Sequence, residues 1–196
     1  MRCFIASLLS DEVKKYHSQL CESLSRQFGP ADPCQKIPSH FTLKSPFESD
    51  QDQTKRIETL LASFARRQKP APLKVANFGH FGDRVVYLRI VPSDAAREIY
   101  RALVVTLGKI SWLTWNNHDG NQGPGSVLPN RGSAISPKAN REQFHATLAR
   151  PRTPRQFREI WRYLSGLKYS ARMSFDNIAI LYHTGDKWEI YRRFDF

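Results

Sequence analysis

Apolar side chains recur with helical spacing in four segments of the chain, so that each segment has one apolar face. This pattern predicts four amphipathic helices packed on a shared core. Cap residues support the bounds, since Ser10 precedes the first helix, Gly29-Pro30 ends it, and Thr153-Pro154 begins the fourth. The first three helices are expected over about residues 11–28, 50–67 and 93–107.

Shorter apolar or alternating segments, bounded by turn residues, predict strands between these helices. The expected strands cover residues 2–9, 40–43, 73–81, 84–91, 144–149, 168–175, 178–182 and 188–196. Each half of the chain therefore has a short strand, then a helix, then a strand pair. We expect an α+β fold in which two lobes, related by a pseudo-twofold axis, turn antiparallel sheets toward a central cleft and place helices outside.

Residues 116–140 differ from the rest because they are turn-rich and show no periodicity. A connection of this length in a compact domain is either functional or mobile. No apolar run approaches the roughly 20 residues that a membrane-spanning helix needs. The sequence thus predicts one bilobal domain over residues 1–196, interrupted by a long polar loop and without a membrane span.

The charge is strongly positive, with 30 Lys and Arg against 18 Asp and Glu. Between Lys138 and Arg172, nine basic residues are opposed only by Glu142 and Glu159, a net charge of +7. Such a field favours a polyanion such as nucleic acid. A solvated helix face that serves solubility would give the same pattern, and charge alone does not separate the two interpretations.

Three cysteines, Cys3, Cys21 and Cys34, cannot all pair, and none lies in a C-x-x-C motif. This argues against a disulfide framework and against a zinc site. We therefore expect three ordinary thiols and a cytoplasmic location.

A four-residue pattern occurs twice, as His40-Phe41-Thr42-Leu43 and as His145-Ala146-Thr147-Leu148. In a strand, positions i and i+2 lie on one face, roughly 6.6 Å apart. Each histidine should therefore share a face with its threonine, while the residues between them enter the core. If the lobes face each other, two imidazoles and two hydroxyls converge on one cleft.

This set of groups suits a phosphodiester. Opening a cyclic phosphate needs a base that deprotonates water and an acid that protonates the departing ribose oxygen, and histidine can do either near neutral pH. Threonine hydroxyls can donate hydrogen bonds to the non-bridging oxygens, where charge develops. The set requires no metal ion and no cofactor. One copy alone would favour a structural strand histidine, whereas two copies in matching contexts favour catalysis.

At these motifs the chain resembles the two-histidine (2H) phosphoesterase superfamily, in particular the 2'-5' RNA ligase and RNA 2',3'-cyclic phosphodiesterase family. Residues 1–6 resemble its N-terminal strand, residues 144–150 its second motif, and residues 188–196 its closing strand. The resemblance implies a bilobal fold and a basic cleft. It implies opening of RNA 2',3'-cyclic phosphate ends to 2'-phosphates, and in some members ATP-independent 2'-5' joining.

The resemblance also implies roles for individual residues. His40, Thr42, His145 and Thr147 are expected to be catalytic, with His145 favoured as the base and His40 as the acid, although a ligation direction would exchange them. Arg150 follows the second motif and is expected to contact phosphate from the strand end. Lys44 has the parity of His40 and Thr42 along the strand, so that it is a second candidate phosphate contact at the cleft rim.

Two other classes of function stay open. A related enzyme would use the same four residues on a nucleotide diester, such as ADP-ribose cyclic phosphate or 2',5'-oligoadenylate. A non-enzymatic RNA-binding module would keep the basic surface but would not need both His-Thr pairs, so their presence favours an enzyme. The expected partner is an RNA with a 2',3'-cyclic phosphate end, either tRNA-like or an oligonucleotide, bound by a monomer.

Overall fold

A computed structural model of the chain describes residues 1–31, 36–113 and 144–196. Within these ranges eight strands and four helices follow one another along the chain. They are β1 (Arg2–Leu8), α1 (Asp11–Phe28), β2 (His40–Glu48), α2 (Gln51–Ala65), β3 (Ala71–Phe81), β4 (Val85–Pro92), α3 (Asp94–Leu107), β5 (Phe144–Ala149), α4 (Pro154–Ser165), β6 (Ser170–Phe175), β7 (Asn177–His183) and β8 (Trp188–Asp195). The predicted elements are confirmed, and β2 extends five residues beyond the predicted end at Leu43.

The strands form two four-stranded antiparallel sheets, and the α+β prediction is confirmed. The first sheet has the order β2-β1-β7-β8 and the second has the order β5-β4-β3-β6. The strands that carry the two His-x-Thr motifs, β2 and β5, are thus the edge strands of their sheets, and they contact each other. Two edge strands side by side can bring both motifs to one place.

The two lobes are not the two halves of the chain. The first sheet joins β1 and β2 to β7 and β8, and therefore needs both ends of the chain, whereas the second sheet lies within residues 71–175. The strand pair that directly follows β2 and α2 belongs to the sheet of the other motif. The first sheet can therefore form fully only when the chain has been completed to β8.

Aromatic side chains fix the junction between the motif strands. The rings of Phe41 on β2 and Phe144 on β5 stack with centroids 4.7 Å apart. Phe175 on β6 meets the Phe41 ring edge-on at 5.5 Å and the Phe144 ring at 6.1 Å. Because all three rings are buried, this cluster holds the backbones of the two motifs at a fixed separation.

Helix ends agree with the local sequence signals. The Thr153 hydroxyl accepts a hydrogen bond from the Gln156 N–H at 3.1 Å, and Pro154 occupies the first turn of α4 as predicted. Asp50 and Gln53 form a reciprocal capping box on α2. Ser10 is the N-cap residue of α1 but its side chain makes no capping hydrogen bond.

The cysteines correct one expectation. Cys3 is a buried free thiol, but Cys21 is disulfide-bonded, so the prediction of three ordinary thiols is wrong. Cys34 and the predicted loop at 116–140 lie outside the described residues. Among the described helices, none has the length and apolar character required to cross a membrane.

Candidate active site

The first motif lies at the start of β2. His40 pairs with Leu8 of β1, and Thr42 pairs with Ala6. Phe41 and Leu43 are fully buried, while His40 and Thr42 stay partly exposed on the other face. The alternation predicted for this motif is therefore what the structure shows.

The second motif has the same arrangement on β5. His145 pairs with Arg89 of β4, and Thr147 pairs with Tyr87. Both are partly exposed, whereas Ala146 and Leu148 are fully buried. The two histidines and two threonines thus leave the core on matching faces of adjacent edge strands.

Both motifs open into one cleft of about 440 Å³. The structure brings His40, Thr42, His145, Thr147 and Arg150 together in its wall. The remaining lining residues are Arg2, Phe4, His17, Lys36, Ile37, Pro38, Pro46 and Trp188. Among the described residues, four basic side chains besides the catalytic candidates line the cleft and no carboxylate does, so that this part of the wall suits an anionic ligand.

The two histidine rings are held in different ways. His40 Nδ1–H donates to the Pro38 carbonyl at 2.6 Å, and the Phe4 ring lies 5.0 Å away. Because Nδ1 carries the proton, neutral His40 has its lone pair on Nε2. The ring of His145 makes no hydrogen bond to any described residue. It contacts instead the Phe81 ring edge-on at 5.0 Å and the Tyr87 ring at 5.2 Å.

Burial favours the neutral form of both imidazoles. It lowers the pKa of His40 to about 4, opposed by the hydrogen bond to Pro38 and reinforced by the neighbouring basic groups His17, His145 and Arg150, since a second positive charge beside them is unfavourable. Burial also lowers the pKa of His145 to about 4, with a further contribution from Arg150. An anion placed between the rings would raise both values, because it favours the charged imidazolium.

Arg150 lies just past β5, where its N–H donates to the Ala31 carbonyl at 2.8 Å. The register of β5 passes from Tyr87–Thr147 to Val86–Ala149, so that Leu148 is one extra residue. Because of this β-bulge, Ala149 enters the core and Arg150 returns to the face of His145 and Thr147. Arg150 consequently lines the cleft, although strict alternation would have turned it away.

Lys44 is not brought to the cleft, and its predicted position at the rim is wrong. The register of β2 passes from Ala6–Thr42 to Ile5–Lys44, so that Leu43 is one extra residue. The bulge turns Lys44 to the face of Ile5, where it is only 1% exposed. Its ammonium donates to the carbonyl and hydroxyl of Ser45 at 3.2 and 3.4 Å.

Sequence reasoning missed several cleft residues, of which His17 is the clearest case. It lies on the buried face of α1 between Val13 and Cys21, at i+4 from one and i−4 from the other. A polar residue in an apolar stripe must find partners inside the protein, and this was the available signal. Lys36 and Trp188 gave no such signal, because only the chain fold brings them near the motifs.

The basic surface predicted from residues 138–172 is present in its described part. Arg155, Arg158, Arg162 and Lys168 are exposed on and after α4, and only Arg155 among them pairs with a described carboxylate, Glu159 at 3.0 Å. Lys138 and Arg141 lie outside the described residues. In the part of the chain that the structure describes, no group of three or more His, Cys, Asp or Glu is arranged to hold a metal ion.

Comparison with known proteins gives the family. The sequence pattern of the 2'-5' RNA ligase superfamily matches residues 9–187, which is most of the chain. The chain therefore belongs to this superfamily of two-histidine phosphoesterases, as its motifs predicted.

Individual relatives agree with this assignment. A protein of Geobacillus kaustophilus named as a candidate phosphoesterase is 36% identical over 69 residues, which are 34% of this chain and 40% of the relative. A protein of Bacillus licheniformis with a similar name is 28% identical over 69 residues, 34% of this chain and 41% of the relative. The chain thus matches less than half the length of these curated relatives.

Solved structures share the fold at low sequence identity. The Thermus thermophilus protein TT0787 has a TM-score of 0.60 at 15% identity, covering 100% of this chain and 97% of that one. Escherichia coli LigT complexed with 3'-AMP has a TM-score of 0.57 at 14% identity, again covering 100% of this chain and 97% of that one. These likenesses establish the fold alone.

Proposed function

We propose that this protein is an RNA 2',3'-cyclic phosphodiesterase that opens cyclic phosphate ends to 2'-phosphates without a metal ion. One observation carries the proposal: two His-Thr pairs from different lobes, together with Arg150, line a single cleft, and none of the described residues in its wall is a carboxylate. An acid, a base and hydrogen-bond donors for a phosphate are thereby available on facing strands.

In the proposed reaction His145 takes a proton from water, which attacks the phosphorus atom. The bond from phosphorus to the ribose 3' oxygen breaks, and His40 gives its proton to that oxygen, leaving a 2'-phosphate. The hydrogen bond from His40 Nδ1 to the Pro38 carbonyl supports this assignment, because it stabilises the protonated ring. His145 has no such bond to a described residue and is the better proton acceptor.

The threonines and Arg150 would bind the phosphate. Neither threonine hydroxyl is hydrogen-bonded to a described residue, so that both can donate to the non-bridging oxygens. Arg150 adds a fixed positive charge and planar N–H donors that match a phosphate. These contacts strengthen as negative charge develops in the transition state, which is the requirement for catalysis rather than for binding alone.

The acid must carry a proton, yet burial favours the neutral form of both imidazoles at pH 7. The cyclic phosphate is itself an anion and would raise the pKa of the histidines when it enters between them. Substrate binding therefore helps to load the proton that the leaving oxygen needs. A bell-shaped pH dependence is expected, with one limb for each histidine.

The exposed arginines of α4 support RNA rather than a small nucleotide as the substrate, since a long basic surface gains affinity from several phosphates. LigT with 3'-AMP shows a ribonucleotide in a protein of the same fold. Joining of a 2',3'-cyclic end to a 5'-hydroxyl would use the same groups, with the 5'-hydroxyl in place of water as the attacking group and the 3' oxygen again leaving. A monomeric state stays a prediction. A cytoplasmic location also stays one, and the disulfide at Cys21 weakens the thiol argument for it.

The test is incubation of the purified chain with a short RNA that ends in a 2',3'-cyclic phosphate, in EDTA and without ATP. Conversion to a 2'-phosphate end, separated from the 3'-phosphate isomer by chromatography, is the expected result. Activity that EDTA abolishes and a divalent ion restores would contradict metal independence. Turnover of ADP-ribose cyclic phosphate or 2',5'-oligoadenylate in place of RNA would assign the nucleotide alternative, and RNA binding without turnover would assign a binding module.

A further inference from the structure

A third histidine of the cleft, His17, makes two hydrogen bonds that reach both motifs. Its Nε2 lies 2.9 Å from the carbonyl oxygen of Thr147, in the second motif. Its Nδ1 lies 3.0 Å from the hydroxyl of Ser39, the residue before His40. The side chain is only 3% exposed. One buried ring thus bridges the two edge strands at the point where each carries its catalytic candidates.

The partners define which ring nitrogen carries the proton. A carbonyl oxygen can only accept, so Nε2–H donates to Thr147 and Nδ1 accepts from the Ser39 hydroxyl. Burial lowers the pKa of His17 to about 4, although the Thr147 carbonyl opposes this, and the ring is neutral at pH 7. Both nitrogens are then used by protein groups, and the ring acts on its neighbours rather than on a substrate.

The path of α1 explains how the bridge arises. This helix follows β1 of the first sheet but packs against β5 and α4 of the second lobe. Other contacts hold it there: the Tyr16 ring stacks on Tyr169 with centroids 3.6 Å apart, and Gln156 Nε2 donates to the Phe28 carbonyl at 3.0 Å. These contacts lie away from the motifs, whereas the His17 contacts lie at them.

We propose that His17 is a positioning residue that fixes the spacing and orientation of the two His-Thr pairs. Because His17 fixes Ser39, it also restrains the adjacent Pro38. The Pro38 carbonyl oxygen accepts a hydrogen bond from His40 Nδ1 at 2.6 Å and so orients that ring. Holding the Thr147 carbonyl fixes the strand between His145 and Arg150. An acid and a base on opposite sides of one phosphorus atom tolerate little displacement, since a shift of about 1 Å can cost about 100-fold in rate. This inference rests on the proposed function.

The test compares His17→Leu, which removes both hydrogen bonds, with His17→Gln, whose amide can still donate to the Thr147 carbonyl. Leu24→Ala is the matched control, because Leu24 is a fully buried residue of the same helix about two turns beyond His17. On the cyclic-phosphate RNA, His17→Leu should lower kcat roughly 10- to 100-fold with KM changed less than about 3-fold. His17→Gln should recover most of that loss. Leu24→Ala should lower Tm but leave kcat of the folded enzyme unchanged.

A second readout separates this inference from the proposed function. In the substrate-free protein, the NMR signals of the His40 and His145 rings should shift in His17→Leu and stay in place in Leu24→Ala. If the wild-type chain fails to open the RNA, the proposed function fails but the ring signals still test the bridge. Unchanged ring signals in His17→Leu, or a kcat equal to that of the wild type, would overturn the inference.

Discussion

The two motif strands, β2 and β5, have the same backbone course and yet present different groups to the cleft. Each places a histidine and a threonine on one face, and each then has a β-bulge directly after the threonine. In β5 the bulge turns Arg150 toward the cleft, whereas in β2 it turns Lys44 into the core and leaves Ser45 at the position equivalent to Arg150. Fixed positive charge next to the motif threonine is thus supplied by β5, and β2 supplies none there.

The histidines differ in a corresponding way. A backbone carbonyl orients His40 by a hydrogen bond, while the rings of Phe81 and Tyr87 orient His145. A carbonyl stabilises the protonated imidazole, and apolar rings do so far less. The pseudo-twofold relation therefore applies to the backbone but not to the groups that orient the two rings, and this difference supports the proposed roles of His40 as acid and His145 as base.

The largest expected effect comes from removing either histidine. His40→Ala and His145→Ala should each lower kcat by about 10²- to 10⁴-fold, the usual contribution of general acid or base catalysis. Steady-state kinetics on the cyclic-phosphate RNA measure this. Because acid and base act as a unit, the double variant should be little worse than either single one. His80→Ala, an exposed histidine outside the cleft, is the control. Normal activity in either single variant would refute the mechanism.

Buried neutral histidines should also make the fold acid-sensitive. An unfolded histidine has a pKa of about 6.5, whereas burial lowers that of folded His17 to about 4. Between these values only the unfolded chain binds the proton. The contribution of His17 to the free energy of unfolding is therefore fully present above pH 6.5. It is lost as the pH drops toward 4, a loss of at most about 3 kcal/mol for this residue. Denaturant unfolding from pH 7 to 4 measures it, and His17→Leu should have a weaker dependence. An equal slope in both proteins would contradict the prediction.

Arg150 and Lys44 test the difference between the two strands directly. Arg150→Gln should lower kcat/KM by roughly 10- to 100-fold, the value of a hydrogen bond between charged groups. It should also raise the pKa of both catalytic histidines, because Arg150 lowers both. Lys44→Met should leave the kinetics of the folded enzyme within about 2-fold, since Lys44 does not reach the cleft. A larger loss for Lys44→Met than for Arg150→Gln would show that the assignment of the two side chains is wrong.

These two residues also show how far the sequence could predict the site. Periodicity and cap residues predicted the helices and strands. The repeated His-x-Thr-Leu pattern predicted four cleft residues and the strand face on which each of them lies. Simple alternation then misplaced Lys44 and turned Arg150 away, because one extra residue in a strand inverts every later position. Alternation has no means of detecting a bulge that depends on pairing with β1 or β4. The cross-lobe partners of His17 were equally hidden, since they depend on α1 packing against the other lobe.

The smallest expected effect concerns the aromatic support of His145. Gly79 pairs with Tyr87 across β3 and β4, and a Cβ added there would lie 2.6 Å from the Tyr87 ring. That ring is buried against His145 and Phe81, so that it cannot move without displacing them. Gly79→Ala should therefore cost about 1 kcal/mol of stability and lower kcat a few-fold.

Gly166→Ala is the matched control for this last change. An added Cβ there would lie 3.5 Å from the nearest atom, the Tyr163 carbonyl oxygen, and the residue caps α4 far from the His145 ring. Its unfolding midpoint and kcat should stay at the wild-type level or the midpoint should rise slightly. If Gly79→Ala lowers kcat while Gly166→Ala does not, packing on the Tyr87 ring sets the position of His145. If Gly79→Ala lowers stability but not kcat, other contacts hold the ring of His145. The proposal that a carbonyl orients the acid would then stand, and the proposal that aromatic rings orient the base would be wrong.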